Sequence, residues 1–190
     1  MLKPKNNFKV VTDKKTARVI LPNMLTLIGV CIGLTSIRFA LDGRFEFAIV
    51  AIILAAIIDG LDGRIARLIK GTSKVGKELD SLTDMISFGV APAFIMYFWK
   101  LNTLGRFGWL VCLIYVICVA LRLARFNVNS GQESSWRDNF FEGVPSPAGG
   151  ILVLTPLIFS MTNFEFITIN YDIVVPIFFI VTSLLLISKF

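Results

Sequence analysis

Long apolar runs separated by short polar segments dominate the chain. The runs cover approximately residues 20–41, 45–58, 79–99, 107–121, 148–161 and 173–187. A helix that crosses a bilayer needs about 20 mostly apolar residues. Several runs are shorter, so we expect their helices to extend beyond the bilayer or to carry polar positions that face protein. The pattern predicts an all-α integral membrane protein with six transmembrane helices.

The polar N-terminal segment, residues 1–19, is set apart from the predicted membrane domain of residues 20–190. It interleaves lysines with apolar residues such as Phe8 and Val10. This pattern is typical of an amphipathic juxtamembrane helix, and a disordered polar tail explains it equally well. The segment is too polar for a secretory signal, and further spans follow the first run. We therefore expect a signal anchor that is retained.

Composition and charge support the membrane assignment and its orientation. Hydrophobic residues make up 55% of the chain and charged residues 17%, whereas soluble domains are about one quarter charged. The net charge is +6, but in a membrane protein basic residues set topology and meet anionic headgroups. We therefore expect membrane lipids and no nucleic acid as partners. With a cytosolic N-terminus, fifteen basic residues face the cytosol, and four do not: Arg38, Arg44, Lys100 and Arg106.

The chain contains no histidine, and its three cysteines lie inside apolar runs. Histidine is the commonest general base and the commonest transition-metal ligand. Any metal site is therefore expected to use oxygen ligands, and any general base is expected to be a carboxylate.

Four aspartates flank the connection between the second and third spans. Asp59 and Asp62 are three positions apart, and Asp80 and Asp84 are four apart, so each pair shares one helix face. Antiparallel helices would bring the two pairs together at the cytosolic end. Ionised carboxylates at a membrane edge are usually paired or bound to metal. Oxygen ligands suit Mg²⁺, Mn²⁺ or Ca²⁺, and two such ions can clamp a diphosphate.

Small residues and a cation accompany the aspartates. Gly60, Gly63 and Gly76 leave room for a ligand beside the backbone, and Arg67 has the planar fork that binds phosphate. Small residues on membrane helices also serve as packing positions, and acidic residues at helix ends often face water. The four aspartates share a helical spacing with the glycines and the arginine, and this combination favours a metal site.

Residues 59–84, DGLDGRIARLIKGTSKVGKELDSLTD, resemble the CDP-alcohol phosphotransferase family. They match its signature, D-x2-D-G-x2-A-R-x8-G-x3-D-x3-D, at every fixed position. The resemblance implies that two Mg²⁺ or Mn²⁺ ions are held by Asp59, Asp62, Asp80 and Asp84, and that Asp84 is also the catalytic base. It further implies a CDP-diacylglycerol site formed by Pro22, Asn23, Thr26, Gly63, Ala66, Arg67, Ser73 and Gly76.

Three further segments resemble the branch of this family that uses serine, the phosphatidylserine synthases. They are LDSLTDMISFGVAPA, RLARFN and FEGVPSPAGG. The resemblance implies transfer of a phosphatidyl group to L-serine, with release of CMP. A serine carboxylate needs a cationic partner, and arginine recognises it through two hydrogen bonds. The candidate serine contacts are Arg122, Arg125, Asn127 and Ser146.

The sequence leaves two alternatives open, another acceptor substrate and another class of protein. Glycerol 3-phosphate or inositol phosphate would be an alternative acceptor, and a cation transporter would be the alternative class. The family resemblance also implies a homodimer in the inner membrane of a prokaryote, with a cytosolic active site. Many bacterial members of the serine branch carry further apolar helices after the sixth, whereas this sequence ends at Phe190.

Overall fold

The computed structural model describes residues 14–69, 73–129, 144–162 and 170–188. All regular structure within these ranges is helical, which confirms the predicted all-α class. The helices are α1 (Lys14–Leu41), α2 (Phe45–Leu68), α3 (Lys74–Asp84), α4 (Ala91–Trp99), α5 (Arg106–Asn129), α6 (Ser146–Met161) and α7 (Tyr171–Ile187). A π-helical segment, Met85–Val90, joins α3 to α4, and a short 3₁₀ helix, Leu101–Leu104, precedes α5.

Three helical stretches of the described chain are long and apolar enough to cross a membrane. They are Ile20–Leu41, Val75–Trp99 and Arg106–Val128, and two shorter apolar helices are Ser146–Met161 and Tyr171–Ile187. A helix therefore covers each of the six predicted apolar runs. As expected, a helix extends beyond its apolar run, since α2 continues through Asp59 and Asp62 to Leu68. Within the polar extension of α2, Asp62 faces protein, since it is only 3% exposed.

The predicted juxtamembrane helix falls largely outside the described residues. From Lys14 onward the backbone is helical and continuous with α1. The described part of residues 1–19 is thus an extension of the first long helix.

The π-helical segment lies in the centre of the bundle, directly after Asp84. Ser87, Phe88 and Gly89 are buried there. A π-helical turn departs from the regular α-helical hydrogen-bond ladder, and a buried carbonyl needs a partner. The hydroxyl of the fully buried Tyr115 donates to the Phe88 carbonyl oxygen at 2.8 Å. Helix α5 therefore holds this segment in register, next to the acidic end of α3.

Helix α1 packs closely against the π-helical segment through glycine. A Cβ atom at Gly33 would lie 2.5 Å from the Ser87 hydroxyl oxygen and 3.0 Å from the Ser87 Cα. One turn earlier, a Cβ atom at Gly29 would lie 3.6 Å from a Thr83 methyl group, which is an ordinary contact. Of these two glycines, only Gly33 is therefore required by space.

We expect Gly33→Ala to lower stability and Gly29→Ala to leave it unchanged or raise it. Alanine favours a helix over glycine by about 1 kcal/mol, and at Gly33 overpacking against backbone costs about 1–3 kcal/mol. Thermal unfolding of both variants in the same detergent measures the difference. Equal unfolding midpoints for the two variants would contradict the close approach at Gly33.

Candidate active site

Three of the four aspartates meet where α2 and α3 face each other. One carboxylate oxygen from each of Asp59, Asp62 and Asp80 lies within 4.8 Å of the other two. Asp62 is buried, and Asp59 and Asp80 are half-buried. The helices position these groups because each aspartate occupies the inward face of its own helix. The predicted convergence of the two pairs is therefore present in the structure for these three carboxylates.

Asp84 lies at the inner end of this group. The Asp59 carboxyl group and the Ser146 hydroxyl are its polar neighbours. Its Oδ1 atom is buried and has no hydrogen-bonding partner among the described residues. Asp84 thus connects the acidic cluster of α2 and α3 to the start of α6.

The donor set suits a divalent cation. Like charges held this close repel one another, and buried carboxylates need compensating positive charge. All available ligand atoms in the cluster are carboxylate oxygens, which hard cations such as Mg²⁺, Mn²⁺ and Ca²⁺ prefer. Asp59, Asp62 and Asp80 can hold one such ion, and Asp84 stands beside them.

A cavity of ≈ 450 Å³ opens next to the cluster, between α1, α2 and α3. Its wall includes most of the residues predicted to bind the donor. They are Pro22, Asn23, Thr26, Gly63, Ala66, Ser73 and Gly76, and the cavity is completed by Asp62, Lys77 and Asp80. The structure therefore gathers into one cavity residues that are more than fifty positions apart in the chain.

Arg67 is the predicted donor contact that does not line the cavity. Its side chain is exposed, and its Nε atom donates to the Gly63 carbonyl oxygen at 3.1 Å. The contact lies within α2, one turn back. A phosphate role for Arg67 stays a prediction.

Hydrogen bonds hold the cavity wall in shape. The Thr26 hydroxyl lies 2.7 Å from Asp62 Oδ2 and 3.0 Å from the Pro22 carbonyl oxygen, which ties α1 to α2 and orients the Asp62 carboxylate. The Ser73 hydroxyl accepts from the Gly76 amide at 2.9 Å and caps the start of α3. Such a cap satisfies an amide at the helix start that has no partner within the helix.

The two signature glycines serve the cavity differently. A Cβ atom at Gly63 would meet nothing within 4 Å, so its surface is open to a ligand. A Cβ atom at Gly76 would lie 2.8 Å from the Asn23 side-chain oxygen and 3.1 Å from the Ser73 hydroxyl. Gly76 therefore permits the close approach of α1 and α3.

Lys77 is a cavity residue that the sequence reasoning missed. It lines the cavity beside Gly76 and Asp80, and its Nζ atom lies 5.6 Å from the centre of the Phe126 ring. Its position three residues before Asp80, on the same helix face, was the available signal. The cavity thus contains a cation close to the carboxylates.

Two of the predicted acceptor contacts lie beside Asp84. Arg122 Nη1 donates to the Ser146 hydroxyl oxygen at 2.6 Å. Ser146 is 1% exposed and lies beside the Asp84 carboxyl group. Arg122 Nε is buried and has no hydrogen-bonding partner among the described residues.

The other two predicted acceptor contacts form bonds to other helices. Arg125 Nη1 donates to the Ile187 carbonyl oxygen at 3.1 Å, at the carboxyl end of α7, where a cation is favourable. Asn127 accepts from the Ser81 hydroxyl at 3.1 Å and donates to Glu78 at 3.2 Å. These contacts hold α5 against α7 and α3.

Comparison with known proteins shows which proteins the chain is similar to. The model of the CDP-alcohol phosphatidyltransferase family matches residues 19–186. The CDP-diacylglycerol–serine O-phosphatidyltransferase of Mycobacterium leprae is 48% identical over 137 residues, which cover 71% of this chain and 45% of that protein. The Helicobacter pylori protein of the same name is 37% identical over 170 residues, which cover 90% of this chain and 70% of that protein.

An archaeal relative extends the comparison. The archaetidylserine synthase of Methanothermobacter thermautotrophicus is 35% identical over 161 residues, covering 82% of this chain and 64% of that protein. The chain spans about half the length of the mycobacterial relatives that it matches.

Proposed function

The chain belongs to the CDP-alcohol phosphatidyltransferase family, and from this premise we propose that it transfers the phosphatidyl group of CDP-diacylglycerol to L-serine. The products are phosphatidylserine and CMP. One observation carries the proposal: the carboxylate cluster stands between the cavity of ≈ 450 Å³ and the Arg122–Ser146 pair. The names of the bacterial relatives support serine as the acceptor.

The donor's cytidine diphosphate occupies the cavity between α1, α2 and α3 in this proposal. Gly63 offers open backbone surface, and Lys77 supplies a positive charge to a phosphate oxygen. Asp59, Asp62, Asp80 and Asp84 would hold two divalent ions, Mg²⁺ or Mn²⁺. When bound, such ions neutralise the diphosphate charge and lower the barrier to its cleavage.

Asp84 is the general base of the proposed reaction. Its carboxylate accepts the proton of the serine hydroxyl. The serine oxygen then forms a bond to the phosphorus that carries diacylglycerol, and the bond from that phosphorus to the oxygen of CMP breaks. CMP leaves with the electron pair. The protein contributes mainly position and charge, as is general for phosphoryl transfer.

The helices and the distribution of basic residues support a membrane arrangement. We propose that all six helical units cross the bilayer, with α3, the π-helical segment and α4 forming one of them. The N-terminus and the carboxylate cluster then face the cytosol of a prokaryotic inner membrane. The acyl chains of the donor lie in lipid, within reach of the cytosolic cavity. A homodimer is proposed from the family resemblance.

Release of CMP in the presence of different acceptors tests the function directly. Purified protein in detergent or nanodiscs receives CDP-diacylglycerol, Mg²⁺ or Mn²⁺, and L-serine, glycerol 3-phosphate or inositol phosphate in parallel. We expect CMP and phosphatidylserine with L-serine. CMP release with glycerol 3-phosphate or inositol phosphate alone would reject serine as the acceptor, and no CMP with any acceptor would reject the transfer reaction.

Arg122→Ala is expected to raise KM for serine far more than KM for CDP-diacylglycerol. A charge-assisted contact to the serine carboxylate is worth roughly a 10- to 100-fold change in affinity. Arg64→Ala is the matched control, because Arg64 is exposed on α2 and does not line the cavity. Initial rates at varied serine and varied donor separate the two KM values. Equal changes in KM for serine and KM for the donor would argue against a serine carboxylate at Arg122.

A further inference from the structure

Three side chains from three helices lie next to one another and end at the proposed base. Arg122 on α5 donates through Nη1 to the Ser146 hydroxyl oxygen at 2.6 Å. Ser146 is the first residue of α6 and lies beside the Asp84 carboxyl group at the end of α3. A serine hydroxyl has one hydrogen to donate. Since its oxygen accepts from Arg122, the hydrogen is left to donate to the neighbouring carboxylate.

The backbone around Ser146 is held firmly in place. A Cβ atom at Gly150 would lie 3.2 Å from both Cβ and the carbonyl oxygen of Phe88, in the π-helical segment. A Cβ atom at Gly149 would lie 3.0 Å from a Leu186 methyl group on α7. The start of α6 therefore packs tightly on both neighbours, and Ser146 is 1% exposed. The Ser146 side chain is therefore fixed and can hold its partner in one orientation.

We propose that Ser146 is a positioning residue for Asp84, with Arg122 fixing the direction of its hydroxyl. The proposal rests on the proposed function, in which Asp84 is the base. The Ser146 hydroxyl donates to the Asp84 carboxylate and prevents rotation of that group. The carboxylate is thereby held in one orientation for the serine hydroxyl of the substrate.

This role differs from the direct serine contact that the sequence predicts for Ser146. A residue that binds the acceptor changes KM for the acceptor. A residue that orients the base changes kcat for every acceptor and leaves substrate affinity nearly unchanged. The two roles are therefore separable by kinetics.

Arg122 has two effects in this arrangement. Its charge binds the acceptor carboxylate, which sets KM for serine. Its Nη1 contact fixes the Ser146 hydroxyl, which contributes to kcat. The kcat effects of Arg122→Gln and Ser146→Ala should therefore be non-additive, since both substitutions interrupt the same contact chain.

The test compares Ser146→Ala, Ser146→Thr and Ser160→Ala with the wild type. Ser160 lies on the same helix, and its hydroxyl bonds to the Leu157 carbonyl oxygen at 2.7 Å, so it is a matched control. For each variant, kcat and KM for the acceptor are measured, together with Kd for CDP-diacylglycerol. We expect kcat of Ser146→Ala to fall roughly 10- to 100-fold with KM and Kd within about twofold. Threonine retains the hydroxyl and should restore most of the rate.

Several results would overturn the proposal. A higher KM for serine with unchanged kcat in Ser146→Ala would assign Ser146 to acceptor binding. A parallel loss of donor affinity would show that the contact supports the fold as a whole. If Ser146→Thr binds the donor but turns over as slowly as Ser146→Ala, loss of the hydroxyl is not the cause of the lower kcat.

The same experiment separates this proposal from the proposed function. If the wild type releases CMP with another acceptor, serine as the acceptor is wrong. The Ser146→Ala rate is then measured with that other acceptor. A lower kcat at unchanged KM and Kd would still support the positioning role.

Discussion

Asp84→Asn is expected to abolish turnover while part of the donor binding survives. Asparagine has nearly the same shape as aspartate, but its amide cannot accept the proton of an attacking hydroxyl. Loss of a general base costs typically 10²- to 10⁴-fold, so we expect kcat to fall by roughly 1000-fold. The other three aspartates keep their mutual geometry, so the site retains carboxylates that can hold an ion and support the donor.

The measurement pairs CMP release with donor binding in the same preparation. Asp42→Asn is the matched control, because Asp42 is an exposed carboxylate that pairs with Arg38 at the other end of α1. Normal turnover in Asp84→Asn would reject the base assignment. Complete loss of donor binding together with turnover would instead assign Asp84 to the binding of the donor or of an ion.

The local features of the fold could be predicted from the sequence because they depend on local patterns. Apolar runs predicted a helix at each of the six positions, and the spacing of Asp59 and Asp62 predicted a shared helix face. The convergence with Asp80 followed from the short connection between two antiparallel helices. Each of these inferences needs only neighbouring residues and the geometry of an α-helix.

The contacts between distant segments could not be predicted in the same way. No local pattern indicates that the chain turns π-helical after Asp84, since Tyr115 on another helix supplies the hydrogen bond to Phe88. At the site, the directions of the Arg67 and Lys77 side chains could not be predicted either. Arg67 is a signature position and Lys77 follows one, but only the direction of each side chain decides that Lys77 lines the cavity and Arg67 does not.

The acceptor side illustrates why residue type alone does not assign a role. Arg122 and Arg125 are separated by three positions and were equivalent candidates by sequence. In the structure Arg122 bonds to Ser146, next to Asp84, whereas Arg125 bonds to the backbone at the end of α7. The neighbour on the facing helix gives each arginine a different environment.

Removal of divalent cations is expected to stop the reaction, and Mg²⁺ or Mn²⁺ is expected to restore it. In the proposed reaction, the diphosphate of the donor lies beside carboxylates that are within 4.8 Å of one another. Without a cation, the negative charges of donor and protein would repel each other. We expect activity in excess chelator to fall by at least about 100-fold, with recovery when either metal is added back.

Thermal stability gives a second readout that does not depend on activity. A cation that binds the folded state raises the unfolding midpoint as its concentration rises, so Mg²⁺ or Mn²⁺ should stabilise the wild type. Asp80→Asn removes one of the repelling carboxylates. The metal-free variant should therefore unfold at a higher temperature than the metal-free wild type, and metal should shift its midpoint less. A metal-induced shift of equal size in Asp80→Asn and wild type would exclude Asp80 as a ligand, because the affinity of a carboxylate site for a divalent cation depends on the number of its charges.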